Sequence, residues 1–574
     1  MKENGDQLVQ LRSTHDYEDL SGRFRLHLRN YERQFCNIYS VRIVEARRRI
    51  EKVAATKWKK SVKKLMDLNN LKGEQCVIVG TLYKNQELKP SVLRDVSKEY
   101  QTVPPAPRTH FVSDKDELIL EDETQRVTLH GVLDVHSVVT GCVVAVLGKL
   151  QPNGVFMVED YCWPEAEPIA KSLPALTQDK FLVLISGIEL ATNKNNLSLQ
   201  LFADWVTGWS GAKKGFIDAS RLVHVIFAGN CIRSKPLPKP KYGTKTDSTD
   251  DIEAVKELDY ITQQLIECID VDIMPGEFDP TNHTFPQQPL HKCLFPESAQ
   301  YSTFRSVSNP HACKIESRLV LGSAGEPIAD IQRYSNLTDP LDILEKTLDW
   351  AHMAPTAPDT LPCYPFDDYD PFLLTERPHV YFVGNQPEFQ TKLKKGPKYD
   401  VRLVCIPSFT ATQSFVLVNL KDLECQMQVR FDGYIGFPGG LIEEGEDAVF
   451  SLNRELKEEM DLDLTKFSVK SSNHVISHFN EKIGLKVYFY ALEVSMDELE
   501  KIEINALQAK DYGNEVLGTI RVPLYTMDDG YRGFPVFLKH QFVGNAKDQL
   551  LYSIKHLNLL KEEEITRAVQ ASKN

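Results

Sequence analysis

The sequence predicts a multidomain α+β chain: a small β-barrel, then an α/β sheet domain, then a short C-terminal α/β piece. Three observations carry this. The 574 residues exceed what one hydrophobic core supports and point to three or four domains. Short β-rich runs fill residues 74–161, whereas apolar strands alternate with amphipathic helices from residue 180. Cysteine stops at Cys425 and tryptophan at Trp350, a shift of texture that sets a boundary near residue 426.

Composition narrows the class. Hydrophobic residues make up 42%, ample for sizeable cores. Eleven cysteines without a Cys-x-x-Cys pair read as reduced, buried thiols. The first ten residues lack the pattern of a signal peptide, and no apolar run is long enough to span a membrane, so a soluble cytosolic or nuclear chain is expected. A net charge of −13 argues against a protein built mainly to coat DNA or RNA.

Residues 1–30 are polar and read as a flexible N-terminus. Residues 31–175 read as a helix followed by a barrel. The helix is expected over 31–68, with Phe35, Ile38, Tyr39, Ile43 and Ile50 at helical spacing, and Arg47–Arg49 and Lys57–Lys64 making it basic. A solvated face or an acidic protein partner explains that charge better than nucleic acid. Strands are expected at 76–83, 117–121, 126–132, 142–149 and 155–161, split by turns such as Pro152-Asn153-Gly154. Five short strands fit an OB-type barrel. Such barrels bind single strands through aromatics over a basic groove. That interleaving is missing, which favours a protein-interaction barrel.

Residues 176–426 change to α/β. Strands are expected at 181–185, 223–227, 271–273 and 380–382, each ending in a glycine turn. An amphipathic helix over 251–269 has Ile252, Val255, Leu258, Ile261, Leu265 and Ile269 on its apolar side. Another begins at Asp339-Pro340, an N-cap followed by proline at the first helical position, and runs to Trp350. Residues 234–250 and 353–370 read as a polar, mobile loop and as proline-rich irregular chain. The turns are Ser186-Gly187-Ile188-Glu189, Ala228-Gly229-Asn230-Cys231, Pro275-Gly276-Glu277-Phe278-Asp279 and Val383-Gly384-Asn385-Gln386. This order resembles a calcineurin-like metallophosphoesterase, in which Asp-x-His, Gly-Asp-x-x-Asp, Gly-Asn-His and Gly-His-x-His hold two metals. Here no turn carries a histidine, and Glu189, Asn230, Glu277 and Asn385 cannot supply a two-metal site. His283 and His291, just beyond the third turn, read as loop or packing residues. The resemblance implies a catalytically dead phosphoesterase fold.

An OB barrel followed by a dead phosphoesterase is similar to the B-subunit family of replicative DNA polymerases. Arg94-Asp95-Val96-Ser97, Val158-Glu159-Asp160-Tyr161-Cys162, residues 274–282 with 286–291, and residues 355–360 resemble the polymerase delta small-subunit family over about residues 31–425. Residues 401–406 and 414–420 match its last two strands. The resemblance implies a non-catalytic regulatory scaffold in DNA replication in the nucleus. It implies no cofactor for this part. Its implied partners are the C-terminal metal-binding region of the catalytic subunit and a third subunit.

Chemistry appears only after residue 426. Gly436-Phe437-Pro438-Gly439-Gly440 forms a strand-ending turn, and a helix is expected over 447–460 with Val449, Phe450, Leu452 and Leu456 on its apolar side. Glu455, Glu458 and Glu459 fall at i, i+3 and i+4, so one helix face gathers three carboxylates, hard ligands suited to Mg²⁺ or Mn²⁺. Gly440, Glu446, Arg454, Glu455, Leu456, Glu458, Glu459 and Leu462 fall in register with the Nudix box; Asp461 replaces its last glycine, a left-handed position that Asp tolerates. Arg430-Phe431-Asp432-Gly433, Ala509-Lys510-Asp511-Tyr512-Gly513, Val522-Pro523-Leu524-Tyr525 and Phe542-Val543-Gly544 resemble the small nucleolar RNA decapping and inosine diphosphatase branch. The resemblance implies that Glu455, Glu458 and Glu459 hold the metal and that Arg454 orients a carboxylate, with Glu446 as its partner. Arg430, Phe437, Gly439, Gly440 and Gln549 would contact a purine nucleotide or capped RNA. Core packing for Phe437 and a solvated helix face for Gln549 stand as alternatives.

The Nudix resemblance starts at Met427, without the family's first strands and without a linker, so residues 427–574 are expected to form a Nudix domain with an open sheet edge. Residues 414–420 could complete it only by leaving the sheet before. Three readings follow: a polymerase delta scaffold with an appended, impaired Nudix segment; a scaffold carrying a working pyrophosphatase for deaminated nucleotides or RNA caps; or an artefactual fusion of two neighbouring genes.

Overall fold

The computed structural model describes residues 12–27, 29–70, 73–90, 108–166, 174–192, 197–209, 219–233, 235, 249–396, 398–428, 435–442, 445–480, 485–510, 516, 519–527, 530, 532–540 and 542–572. Packing divides them into two compact units: residues 13–194 with 221–427, and Arg12 with 195–220 and 428–574. No helix among them is long and apolar enough to cross a membrane. Arg94-Asp95-Val96-Ser97, Arg430-Phe431-Asp432-Gly433 and Asp511-Tyr512-Gly513 lie outside the described residues, as does most of the 234–250 loop.

The first unit starts with β1 (Tyr17–Asp19) and α1 (Cys36–Trp58), followed by the barrel strands β2 (Val62–Lys63), β3 (Cys76–Asn85), β4 (Glu117–Glu121), β5 (Arg126–Gly131), β6 (Val143–Leu150) and β7 (Val155–Cys162). β3 pairs with both β4 and β6, so the order β3-β4-β5-β7-β6 closes into a five-stranded barrel. Alternation builds it. Ile78, Leu82, Leu118, Leu120, Leu129, Val144, Val146 and Phe156 share one core, while Val77, Val79, Val143 and Ala145 share another with Ile43, Ala46, Ile50 and Ala54 of α1. At Gly148 the β6–β7 register shifts, and a Cβ there would lie 2.0 Å from the Met157 carbonyl oxygen. α1 is shorter than the 31–68 expected, because Lys59 turns left-handed (φ 53°) and the chain continues into β2.

Two six-stranded mixed sheets complete the unit. One contains β8 (Phe181–Ile185), β9 (Leu222–Ala228), β10 (Asp270–Met274) and β11 (Phe304–Ser306); the other contains β12 (His311–Ile315), β13 (Arg318–Ser323), β14 (Val380–Gln386), β15 (Gln390–Lys394) and β16 (Val401–Pro407). β17 (Phe415–Asn419) and β18 (Cys425–Gln428) return to the first, giving the orders β11-β10-β9-β8-β17-β18 and β1-β12-β13-β14-β16-β15. β8 to β11 are parallel, and β8, β9 and β10 are mostly apolar and buried on both faces, as a parallel sheet covered on both sides requires. The inter-sheet core includes Leu182, Leu184, Ile226, Met274, Val320, Phe382, Val404 and Val416. The expected 251–269 helix is Thr249–Ile266, with Leu258, Ile261 and Leu265 buried but Ile252, assigned to that face, exposed. Asp339 caps the helix Pro340–Asp349 through the Leu341 amide, 3.2 Å away.

The described part of residues 1–30 is not loose. β1 pairs antiparallel with Cys313–Ile315, the Ser21 hydroxyl exchanges hydrogen bonds with the Ala312 backbone, and Phe24 is fully buried. Burial of Phe24 and a strand ladder repay the ordering entropy that the polar composition hides.

The barrel and the two-sheet domain share one apolar core, and a buried charge pair crosses it. Arg42 of α1 has no exposed surface. It donates to Asp370 at 2.7 Å and to the carbonyls of Gly141, Pro355 and Ala357 at 3.3, 2.9 and 2.7 Å. His352 Nε2 lies 2.9 Å from the same Asp370 oxygen and His352 Nδ1 accepts from the Ala354 amide, which defines a neutral imidazole. Burial and the nearby Arg42 charge push His352 down to about 4. Burial alone would raise the Asp370 carboxyl; Arg42 and His352 override it and hold it well below the usual range. Part of the basic run is engaged too: Arg49 donates to the Leu374 carbonyl and Lys57 pairs with Asp160.

In the second unit, the Nudix-like stretch contains α-helices Ala448–Met460, Met496–Ala506, Ala546–His556 and Glu562–Ala571 and one hairpin, His474–Asn480 with Leu485–Tyr490. Two small apolar clusters hold it, one around Phe534, Phe537 and Leu550 and one around Leu456, Leu462 and Ile502. Leu441, Phe450, Phe479, Ile504 and Ile520 are exposed.

Arg42→Met leaves Asp370 charged and buried, and is expected to cost about 3–5 kcal/mol in urea unfolding of the full chain. The Asp370 carboxyl is depressed in the fold, so its contribution is present above the unfolded value near pH 4 and is lost as pH falls. Asp370→Asn should therefore flatten the acid limb of the stability curve; an unchanged limb would contradict the assignment.

Candidate functional site

At the C-terminal ends of β8, β9, β10 and β14 the glycine turns meet. Gly187 donates to the Gly229 carbonyl and Glu189 to the Asn230 carbonyl, at 3.0 and 3.1 Å. Glu189, Asn230 and Asn385 all have positive φ, 55°, 53° and 58°, so the backbone keeps a tight-turn geometry without glycine at those positions. Gly276 is required by close approach, since a Cβ would lie 2.1 Å from Asn230 Oδ1.

The side chains at these turns are structural acceptors and donors. Asp279 is buried and accepts from the amides of Gly276, Cys231 and Ile232 at 2.8, 3.2 and 2.9 Å. Asn385 Nδ2 donates to the Ala324 carbonyl at 2.7 Å. Glu189 accepts from Thr192, Glu277 is half-buried, His283 is exposed, and His291 Nδ1 caps the short turn at Lys292. Among the described residues, no three metal-ligand side chains gather at these turns.

Glu326 was not anticipated. It follows Gly325 at the start of its helix and accepts from Asn309 Nδ2 at 2.9 Å, while its other oxygen, like Asn230 Oδ1 and Asn385 Oδ1, has no partner among the described residues. Burial, with Glu277 and Asp279 adding to it, pushes the Glu326 carboxyl up to about 7. The only sequence signal was Gly-Glu-Pro after an apolar strand.

The C-terminal helix places the other candidates. Asp447 caps it through the Val449 and Phe450 amides at 2.8 and 2.9 Å. Asp461 ends it left-handed (φ 48°, ψ 38°), as expected for the position where the pattern has glycine. Arg454 lies 3.0 Å from Glu455, 3.4 Å from Glu446 and 3.4 Å from Glu458. Lys510 reaches Glu458 at 2.9 Å and, with Arg454, holds its carboxyl below the usual range. Glu459 accepts from the Gly439 amide at 2.9 Å. Gly440 faces Glu455, whose Oε1 would be 2.4 Å from a Cβ there. Helical spacing therefore puts the carboxylates on one face, but Arg454 engages Glu455 and Glu458, Lys510 also engages Glu458, the Gly439 amide takes Glu459, and among the described residues the three are not brought within 4.8 Å of one another. The donor type fits a hard divalent cation. Phe437 is 39% exposed and packs edge-on against Phe489 at 4.6 Å. Gln549 is buried, not on a solvated face, and its Nε2 has no partner among the described residues. Arg430 lies outside the described residues.

Three family descriptions match the chain: the DNA polymerase delta subunit OB-fold domain over residues 34–161, the DNA polymerase alpha/epsilon B-subunit family over 182–391, and the U8 snoRNA-decapping enzyme-like family over 406–560. The last begins 21 residues before Met427 (427 − 406 = 21) and takes in β17. The chain is 41% identical over 419 residues to DNA polymerase delta subunit 2 of Drosophila melanogaster, covering 72% of this chain and 96% of that one. It is 42% identical to the DNA polymerase delta small subunit of Arabidopsis thaliana, over 72% of this chain and 95% of that one. A U8 snoRNA-decapping enzyme of Homalodisca vitripennis is 63% identical over 112 residues, 20% of this chain and 60% of that enzyme.

Because Glu326 has a raised folded value, its ionisation in the unfolded chain lowers stability from about pH 4.5 up to pH 7, and the loss is complete above that. Glu326→Gln is expected to stabilise the chain at pH 8 by up to about 3 kcal/mol and to change it little at pH 4.5. Thermal unfolding at both pH values checks this; equal shifts would contradict it.

Proposed function

The chain belongs to the DNA polymerase delta small-subunit family, and we propose that it acts as a non-catalytic regulatory scaffold of that polymerase in DNA replication, with an appended Nudix segment. Its first unit would act in the nucleus, holding the C-terminal metal-binding region of the catalytic subunit on one surface and a third subunit on another. Turns without histidine, with Asp279 taken up by backbone amides and Asn385 Nδ2 by the Ala324 carbonyl, support an inactivated phosphoesterase-like domain that works through its surface. This part needs no catalytic cofactor.

For the C-terminal segment the observation that matters is β17. Val416–Asn419 of this strand pairs antiparallel with Phe181–Leu184, so the strand that the decapping-type family also matches is retained by the polymerase-subunit sheet. The Nudix-like stretch is left with a hairpin as its only named sheet among the described residues, and with apolar side chains in water. That supports an N-terminally truncated, impaired Nudix fold.

A second reading, a working Mg²⁺- or Mn²⁺-dependent pyrophosphatase acting on inosine diphosphate-type nucleotides or RNA caps, is favoured by the intact cap, register and left-handed end of the box helix. In that reading Glu455, Glu458 and Glu459 would hold a divalent ion that screens the diphosphate charge. Arg454 and Lys510 would release the carboxylates, Glu459 staying oriented by the Gly439 amide. Phe437 and Gln549 would face the base. A fusion arising only in the gene model remains the third reading.

The full chain is expected to form a one-to-one complex with the catalytic subunit's C-terminal region; no complex would overturn the scaffold reading. Mg²⁺-dependent release of inosine monophosphate from inosine diphosphate is expected to match the Glu459→Gln background. Turnover well above that background establishes the second reading instead.

A further inference from the structure

A second polar cluster begins at the N-terminal ends of β9 and β10, the opposite ends from the glycine turns. His224 and Asp272 meet His311 and Cys313 of β12 in the space between the two sheets, and all four have no exposed surface. Tyr17 of β1 covers them: its ring stacks on His224 at 5.0 Å and its hydroxyl donates to Asp272 Oδ2 at 2.9 Å.

The hydrogen bonding here does not close. His224 Nε2 and His311 Nε2 lie 2.9 and 3.1 Å from the same Asp272 oxygen. Yet His224 Nε2 is off the line of a hydrogen bond and has no partner among the described residues, and neither has Asp272 Oδ1. Arg305 is 3.7 Å from Oδ1, too far to satisfy it. The far ring nitrogens, by contrast, are held. His224 Nδ1 is 3.2 Å from His15 Nε2, which is itself 3.3 Å from Asp270, and His311 Nδ1 is 2.7 Å from the Ser21 hydroxyl. Ser21 has one proton, and the Ala312 carbonyl stands 3.1 Å away to receive it. His311 Nε2 is at hydrogen-bond distance from Asp272 Oδ2, so either a ring proton or a metal ion can bridge the two, and what stays unpaired in the cluster is His224 Nε2 and Asp272 Oδ1.

We propose that Asp272, His224, His311 and Cys313 form a structural site for a zinc-like divalent cation, with His15 and Ser21 orienting the two imidazoles. Two nitrogens, one oxygen and one sulfur are a borderline-soft set that suits zinc and does not suit magnesium. The charges also balance: a carboxylate and a thiolate around a dication leave a neutral buried site. Burial pushes the Cys313 thiol up, so without a metal it stays protonated, and a bound cation would displace that proton to solvent as the thiolate–metal bond forms. Zinc bonds of about 2.0–2.3 Å set tetrahedral donor separations of roughly 3.3–3.8 Å. The donors of Asp272, His311 and Cys313 already lie within 4.8 Å of one another, whereas His224, 2.9 Å from Asp272, is outside that group and would have to swing in as the fourth ligand. A bound ion would fasten β1 onto β9, β10 and β12.

The test uses the full chain in metal-free buffer, with zinc counted by mass spectrometry and Co²⁺ exchanged in as a spectroscopic probe. One retained equivalent of zinc per chain is expected, with a thiolate-to-cobalt charge-transfer band that Cys313→Ala removes while weakening zinc at least tenfold. Carboxylates of the C-terminal helix cannot give that band. A zinc-free chain without the band would overturn the site and leave a protonated His–Asp cluster in its place. So would metal and band unchanged in Cys313→Ala. If that variant does not fold, the wild-type chain decides: a chelator should lower its thermal midpoint and zinc restore it, and no shift on chelation would overturn the site.

Discussion

The first unit depends on a charge it cannot expose. Arg42 enters from the barrel side, has no exposed surface, and spends its donors on one carboxylate and three backbone carbonyls drawn from both the barrel and the two-sheet domain. Removing the arginine from water is costly, and the arrangement is stable only with every partner in place. The consequence is geometric. Gly141, Pro355, Ala357 and Asp370 must all stay within reach of one guanidinium, so the barrel cannot swing on the sheets as a domain on a linker would.

The second constraint is a strand that two folds need. Residues 406–425 fall within both resemblances, and β17 lies inside that overlap. All five of its residues are buried, four of them pair with β8, and Val416 and Val418 share the core of Val404 and Val320. Transferring it would strip the first sheet of its link to β18 and expose that core, while the C-terminal stretch offers only a hairpin and two small clusters in exchange. Buried apolar area decides the competition in favour of the larger core.

What was legible in the sequence followed from period and spacing. The five barrel strands lie within two residues of where they were read, because β-rich runs end at clear turn signals. The box helix, with its Asp447 cap and the left-handed Asp461, was readable because each of those positions has a backbone reason. Strands β11, β12, β13 and β15 and the helix after Gly325 were not read, being short and interrupted by His311, Arg305, Arg318 and lysines that only tertiary pairing explains. Partners were harder still. Helical spacing brought Glu455, Glu458 and Glu459 to one face but could not reveal that Arg454, Lys510 and the Gly439 amide would draw them apart. Histidines were sought only at the turns, so those buried inside β9 and β12 went unnoticed, because their partners are distant in the chain.

Hydrogen exchange of the full chain tests the division of labour most directly. If β17 belongs to the polymerase-subunit sheet, amides 415–419 exchange as slowly as those of 181–185, through global unfolding of the first unit, while 474–490 exchange much faster. Amides 415–419 exchanging at the rate of 474–490, with 181–185 still protected, would place the strand with the C-terminal fold and contradict the account.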